Sequence, residues 1–293
     1  MRYSPDMWLS FRRVEYLIRL IPAGFFIRIL HLNIASIFFL LLYLHLFRGL
    51  IQRSFKFKNT WNTGVIIIFI LIIVRFIGYV LPWGQISFWA ATVITKFVRA
   101  IPILGTPILL WVWRGFRVGN ATLKFFFSLH FLLPFVLLII IVFHFLSLHF
   151  KGSSSKIRFS ILSEKVKFSP YFIFKDFLNF RVLFLLLATI NIWLTREGEN
   201  FIIANSLSTP PHIKPEWYFL FAYAILRSIP HKLTGVIIII LSILIFIALS
   251  LVYSKYRVKR MYFFIIFFVS FVFLSWIGFN EAVDLFVILG LIF

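Results

Sequence analysis

The stretch HLNIASIFFLLLYLH runs from His31 to His45, begins and ends on histidine and carries no other ionisable side chain except Tyr43. A second stretch, HFLLPFVLLIIIVFH from His130 to His144, repeats the arrangement. In both, the histidines are fourteen residues apart. At 3.6 residues per turn that spacing leaves the two imidazoles within ~40° on one helix face and ~21 Å apart along the axis. A single polar residue in a membrane helix commonly serves as helix–helix glue. Two matched pairs make that explanation inadequate. Two facing helices of this kind offer one histidine pair near each membrane surface, and a planar iron porphyrin held on both sides by imidazole needs one such pair.

Both stretches lie in spans long enough to cross a bilayer, which takes roughly 20 mostly apolar residues. Six such spans are read at about His31–Leu50, Trp61–Val80, Leu123–Phe150, Phe177–Leu194, Thr234–Tyr253 and Met261–Ile277. A last apolar stretch, Ala282–Phe293, is only ~18 Å long as a helix. Between spans two and three, Ile86–Phe97 and Pro107–Phe116 are amphipathic and carry Trp89, Trp111 and Trp113. They are expected to be short helices at the membrane surface, where Trp is favoured. The fold class expected is an all-α integral membrane protein, a polytopic bundle binding two haems, with short surface helices between spans two and three.

Composition agrees. The chain is 62% hydrophobic with a mean hydropathy of +1.01, too apolar to bury in one soluble core. It has no cysteine, which excludes disulfides, iron–sulfur ligation and thiolate chemistry within the chain. The formal charge of +21 does not point to nucleic acid, because the basic residues fall between apolar spans rather than along one soluble face. The 41 phenylalanines fit an AT-rich genome, as in many organelles. No cleavable signal peptide is evident: the first 20 residues mix Arg, Asp and Glu with short apolar patches.

Charge also orients the spans. Arg48, Arg53, Lys56 and Lys58 follow span one, Lys151 to Lys175 contains six lysines and arginines after span three, and Lys255, Arg257, Lys259 and Arg260 follow span five. These loops share a side by parity and should face the compartment of synthesis. The opposite face holds the surface helices and the 196–217 loop with Glu197, Glu199 and Glu216, along with Arg99, Arg114 and Arg117. The 1–28 segment should start on that face too, yet it has five arginines.

Further residues fit the histidine pairs. Gly64 and Gly78, also fourteen apart, lie on the intervening span, where the lack of a Cβ lets a broad cofactor approach the backbone; ordinary helix packing is the alternative. Arg28 and Arg48 stand three residues outside His31 and His45, about one turn toward the nearer surface. There they could pair with haem propionates or snorkel to headgroups.

Three motifs then carry a resemblance. His31-Leu-Asn-Ile-Ala-Ser, Gly78-Tyr-Val-Leu-Pro-Trp-Gly-Gln-Ile-Ser-Phe-Trp and Pro210-Pro-His-Ile-Lys-Pro-Glu-Trp-Tyr-Phe-Leu-Phe-Ala-Tyr resemble cytochrome b of respiratory complex III. The similarity runs from about Tyr3 to Ile277. The tetrapeptide Pro215-Glu216-Trp217-Tyr218 is its most specific part. Equal spacing favours the mitochondrial and proteobacterial type over the photosynthetic relative, whose second pair is one residue wider. The resemblance implies two parts, residues 1–150 with the di-haem bundle and residues 151–293 with the Pro-Glu-Trp-Tyr loop and the remaining spans.

By the same resemblance, His31 with His130 would ligate a low-potential b-type haem on the outer side. His45 with His144 would ligate a high-potential one on the inner side. Quinol, here ubiquinol, would be oxidised at an outer site where Glu216 accepts a proton and Tyr218, Tyr79, Tyr223 and Pro215 shape the pocket. A carboxylate beside apolar aromatics is a reasonable base, although outside this motif Glu216 would read as a loop charge. One electron would go to the Rieske iron–sulfur protein and the other through the two haems. Quinone would be reduced at an inner site, with His149 and Asp176 as the contacting pair and Ser153 and Lys175 as neighbours. Without the resemblance, His149 reads as an interface anchor and Asp176 as a helix N-terminal charge.

The implied setting is the multi-pass cytochrome b subunit of a proton-translocating quinol–cytochrome c reductase in the mitochondrial inner membrane. It would form a homodimeric complex with the Rieske protein, cytochrome c1, accessory subunits and lipid, and would bind no nucleic acid. Three departures from the family are visible. The family has a helix before His31 with two more glycines, and a longer last helix; either a separate polypeptide supplies the first or the sequence is truncated there. Ala90 stands where the family usually has glycine in the quinol pocket, and its methyl should weaken strobilurin-type inhibitors by crowding. Phe125 takes a position that is often arginine in the family, with Lys124 as the neighbouring cation. The rival from another class is a non-redox transporter using intramembrane His and Arg for a proton path.

Overall fold

The structure is a computed structural model that describes residues 2–152, 166–189, 198–211, 213–252 and 260–292. Leu, Ile and Phe runs without charge bury no polar group but the backbone, and in lipid only a helix satisfies every backbone group within one segment. The chain accordingly folds into α1 (Ser10–Leu20), α2 (Gly24–Gln52), α3 (Lys58–Val80), α4 (Gln85–Lys96), α5 (Gly105–Trp113), α6 (Asn120–Lys151), α7 (Ile173–Thr189), α8 (Leu220–Ser228), α9 (Lys232–Val252), α10 (Arg260–Phe279) and α11 (Asp284–Ile292). Among the described residues there is no strand, only an isolated antiparallel bridge between Gly84 and Ile203.

Four helices, α2, α3, α6 and α9, are long and apolar enough to cross a membrane. They match four of the six expected spans. The other two are also helical. Within α10 the stretch Phe264–Phe279 is a shorter apolar helix, and α7 has 17 described residues. The expected ends of spans four and five, Leu194 and Tyr253, lie outside the described residues.

Helix ends follow the local sequence. α2 stops where Arg53 takes a left-handed conformation and its N–H returns to the carbonyls of Gly49 and Leu50. α3 ends at Val80; Leu81 is still right-handed and donates its N–H to the Gly78 carbonyl, and Pro82 after it has no N–H to extend the ladder. α6 runs through Pro134, whose missing N–H leaves the His130 carbonyl without its helical donor.

Packing divides by depth. α6 lies along α3, and α2 contacts α1, α7 and α10. One core, with Ile77, Val80, Trp83, Leu109, Leu123 and Phe126, joins α3, α4, α5 and α6. A second, with Phe39, Tyr43, Phe47, Trp61 and Tyr218, joins α2, α3, α9 and α10. Trp61 Nε1 donates to the Phe246 carbonyl at 2.6 Å, tying α3 to α9. The outward face of α6, including Leu132, Phe135, Leu138 and Ile139, is exposed. On a membrane protein that is the surface lipid covers.

The two short helices form where the sequence places them, and α5 keeps Thr106, Pro107, Ile108 and Trp111 exposed. Most of α4 is buried against the bundle. Trp113 is 7% exposed and donates to Thr95 Oγ1 at 2.7 Å, while Trp89 donates to the carbonyls of Asn205 and Ser208. Trp111 alone of the three is exposed, at 58%. The indole N–H needs a partner once it leaves water, and the loop before α8 and the α4–α5 contact supply acceptors that headgroups were expected to supply.

Candidate functional site

The histidine pairs meet across the bundle. The His31 and His130 ring centroids are 6.2 Å apart with the planes at 76°. Those of His45 and His144 are 6.4 Å apart at 69°. A metal–imidazole bond of about 2.0 Å on each side, plus about an ångström from each nitrogen to its ring centre, gives a centroid separation of roughly 6 to 6.5 Å for one metal held between two imidazoles. Both pairs have that separation, so the residues present fit a haem iron held between two imidazoles at each level.

Two hydrogen bonds fix which nitrogen of each α6 histidine carries the proton. His130 Nδ1 lies 3.0 Å from the Val74 carbonyl, which can only accept, so Nδ1 carries the proton and Nε2 keeps its lone pair. His144 Nδ1 is 3.0 Å from Thr63 Oγ1, whose own proton goes to the Asn59 or Thr60 carbonyl. The hydroxyl oxygen therefore accepts from His144, again leaving Nε2 available. Thr63 and the Val74 carbonyl are outer partners that the sequence reading did not single out.

The glycines act on the same rings. A Cβ at Gly78 would run into the His130 imidazole, and one at Gly64 would sit 3.2 Å from His144 Cε1. Their first effect is thus to let α3 lie against the histidine rings of α6, a closer contact than the cofactor approach expected for them.

At the outer level one cavity of about 550 Å³ gathers much of the expected site: His31, His130, Arg28, Gly78, Tyr79 and Glu216 all line it. Tyr79 receives a hydrogen bond from Asn200 Nδ2 at 2.7 Å, while Asn200 Oδ1 accepts from the Ser87 N–H. The segment around Asn200 is itself clamped to the start of α4. Gln85 N donates to the Ile202 carbonyl and Gln85 Nε2 to the Ser208 carbonyl. Tyr3 also lines the cavity and donates to the Leu81 carbonyl at 2.7 Å. Burial pushes the Tyr3 phenol up, with the nearby Arg28 charge opposing; it stays a neutral donor.

The remaining outer residues lie around this cavity. Glu216 is 9% exposed and Pro215 is half-buried. Tyr218, 1% exposed, points into the core, stacks on Phe39 at 4.7 Å and accepts from Arg75 Nε at 2.5 Å. Its carbonyl accepts from Tyr43 at 2.7 Å. Tyr223 lies under the Arg227 guanidinium, 5.4 Å away. Ala90 is buried on α4. Arg75 also lines the cavity; it carried the plainest unused signal, the one charge in the apolar stretch Trp61–Val80.

The inner level is more open. Arg48 is exposed one turn beyond His45. His149 at the end of α6, and Lys175 and Asp176 at the start of α7, are all exposed. Asp176 occupies the first turn of α7 and Lys175 lies 5.8 Å from the Tyr171 ring. Among the described residues no hydrogen bond or ion pair joins His149 to Asp176. Ser153 lies outside the described residues.

Fold and site together define a polytopic helical membrane protein with two bis-histidine levels stacked between the same helices. Comparison with known proteins agrees. The family described as Cytochrome b/b6/petB matches residues 1–152 and Cytochrome b(C-terminal)/b6/petD matches residues 203–293. The chain belongs to the cytochrome b family. A solved structure titled "Hyperthermophilic respiratory Complex III" superposes with a TM-score of 0.90 at 29% identity, covering 99% of this chain and 81% of that one. Membership brings haem b and quinone chemistry in general, and the transporter alternative finds no support in these matches.

Proposed function

We propose that this chain is the catalytic cytochrome b subunit of a quinol–cytochrome c reductase, holding two b-type haems, His31 with His130 on the outer side and His45 with His144 on the inner. The observation that carries this reading is the recurrence of one geometry at two levels: ring centroids at 6.2 and 6.4 Å, each with a glycine of α3 against the α6 ring. When bound, the haems supply a one-electron path across the membrane. The chain holds the proton on Nδ1 of His130 and His144, leaves each Nε2 lone pair available for iron, and has Arg28 and Arg48 one turn outside, where they would pair with the propionates.

At the outer site the Glu216 carboxylate takes a proton from quinol. Tyr79, fixed by Asn200, positions the substrate, and Pro215, Tyr218, Tyr223 and Ala90 shape the surroundings. Burial of Glu216 limits water at the proton-accepting oxygen. At the inner site His149 and Asp176, with Lys175 and Ser153 beside them, bind quinone and deliver protons. Oxidation on one side and reduction on the other give net proton translocation.

The setting that suits this activity is a dimeric complex with a Rieske protein and cytochrome c1 in the mitochondrial inner membrane, with ubiquinone as substrate. The test is a reduced-minus-oxidised spectrum of the purified complex combined with a haem-to-protein ratio. Two haems per chain with a low-spin bis-histidine α-band are expected; absence of that band sinks the reading.

A further inference from the structure

Arg75 has no role in the scheme above. It sits inside the membrane-spanning helix α3, three residues before Gly78 and so on the same face. Placing a guanidinium at that depth is costly, and such residues are retained for function far more often than for packing. Its Nε donates to the Tyr218 hydroxyl at 2.5 Å and its Cζ lies 5.0 Å from the Tyr218 ring centre. Its Nη2 is buried and makes no hydrogen bond. Arg75 lines the same cavity as His31 and His130.

A guanidinium does not lose its proton in proteins. The cavity therefore contains a fixed positive charge beside the outer histidine pair. The other charged groups lining it are Arg28, on α2 one turn outside His31, and Glu216 from the loop before α8. Tyr218, packed on Phe39, gives the guanidinium both a hydroxyl to donate to and a ring to lie against.

We infer that Arg75 sets the reduction potential of the haem held by His31 and His130, raising it above the value a neutral side chain would give. The inference rests on the haem-carrying reading above. Its physical basis is simple: reduction adds one negative charge at the iron, and a nearby positive charge in a poorly screened medium favours it. At an effective dielectric of about 20, a unit charge roughly 10 Å away changes a one-electron equilibrium by roughly tenfold. Tenfold corresponds to about 59 mV for one electron. Arg75 would thereby moderate the drop between the outer and inner haems without touching the substrate, as a positioning charge.

The experiment is a redox titration of the assembled complex, following the two α-bands in wild type, Arg75→Leu, Arg75→Gln and Tyr218→Phe. Leucine suits a lipid-embedded helix and glutamine keeps hydrogen-bonding capacity, so the pair separates charge from packing. Both neutral variants should lower the outer potential by about the tenfold equivalent and leave the inner one in place. Tyr218→Phe removes the hydrogen bond but keeps the charge, and should leave the outer potential near wild type. The inner α-band reports in every sample that the bundle has assembled. Unchanged outer potentials in both neutral variants would overturn the inference, as would a Tyr218→Phe shift equal to theirs. Loss of the outer α-band alone in both variants would also overturn it, since Arg75 would then build the site rather than tune it. Absence of both bands in the wild-type complex would instead refute the haem-carrying reading.

Discussion

At the scale of single residues, the two glycines of α3 have unequal consequences although they stand in equivalent positions. The His130 ring opposite Gly78 is fixed by its hydrogen bond to the Val74 carbonyl and has little freedom to retreat. The His144 ring opposite Gly64 is only grazed by an added Cβ, at 3.2 Å. Gly78→Ala should therefore lose most of the outer haem while retaining the inner one, and Gly64→Ala should retain both with a modest loss of the inner. Haem-to-protein ratio and resolved α-bands distinguish them; equal losses would contradict the contact geometry. Thr63→Val tests the second partner type. It removes the acceptor for His144 Nδ1 and should weaken inner haem retention by about 10- to 100-fold, read by haem transfer to an external acceptor protein. An unaltered transfer rate would mean that the hydroxyl does not orient the ring.

At the scale of elements, the outer side is held together by side chains that cross between helices. Trp113 on α5 donates to Thr95 on α4, Thr95 donates to the Ala91 carbonyl, and Thr122 at the start of α6 donates to the Trp113 carbonyl while accepting from Gly119 N–H. Thr95 and Thr122 are buried. Thr122→Val keeps the shape but leaves the Trp113 carbonyl and the Gly119 N–H unpaired, which costs about 1–3 kcal/mol per group. The expected outcome is a lower temperature for loss of the outer haem band on heating, with the inner band surviving longer. Simultaneous loss of both bands at the wild-type temperature would show that the network does not support the outer level. The same network explains why α4, which read as an amphipathic surface helix, is largely internal, while α5 keeps an exposed side at Ile108 and Trp111. Their polar residues satisfy one another and neighbouring backbone, so amphipathicity here marks a packed polar seam instead of a water-facing side.

At the scale of the whole molecule, an odd–even alternation of the spans would put the basic loops on one face and the outer cavity on the other. The chain has no cysteine, so single introduced thiols report sidedness cleanly. Lys56, between α2 and α3, and Arg117, between α5 and α6, are both exposed. Lys56→Cys should react with a membrane-impermeant maleimide only from the side of synthesis, and Arg117→Cys only from the opposite side. Labelling of both from one side would overturn the assigned topology. Legibility also differed between the two faces. Glu216 and Tyr79 were visible in motifs, the His31–His130 pair in the fourteen-residue spacing and Arg28 in its place one turn from His31, and all are gathered into one cavity. The inner residues His149, Lys175 and Asp176 were visible in the same way, yet they stand exposed at two helix ends.

What the sequence determined by itself was what a one-dimensional period can encode. Fourteen-residue spacing places two histidines on one helix face, apolar length selects lipid, and a tetrapeptide marks a family. These depend only on residues of the same helix or loop, whose geometry is fixed by the backbone. The tertiary structure decided which groups from different helices meet. It set the Val74 carbonyl against His130, Thr63 against His144, Asn200 against Tyr79 and Arg75 against Tyr218. It also turned two expected surface tryptophans inward. Such partnerships depend on the rotation and depth of one helix relative to another, which side-chain packing across the whole bundle fixes and no local period records.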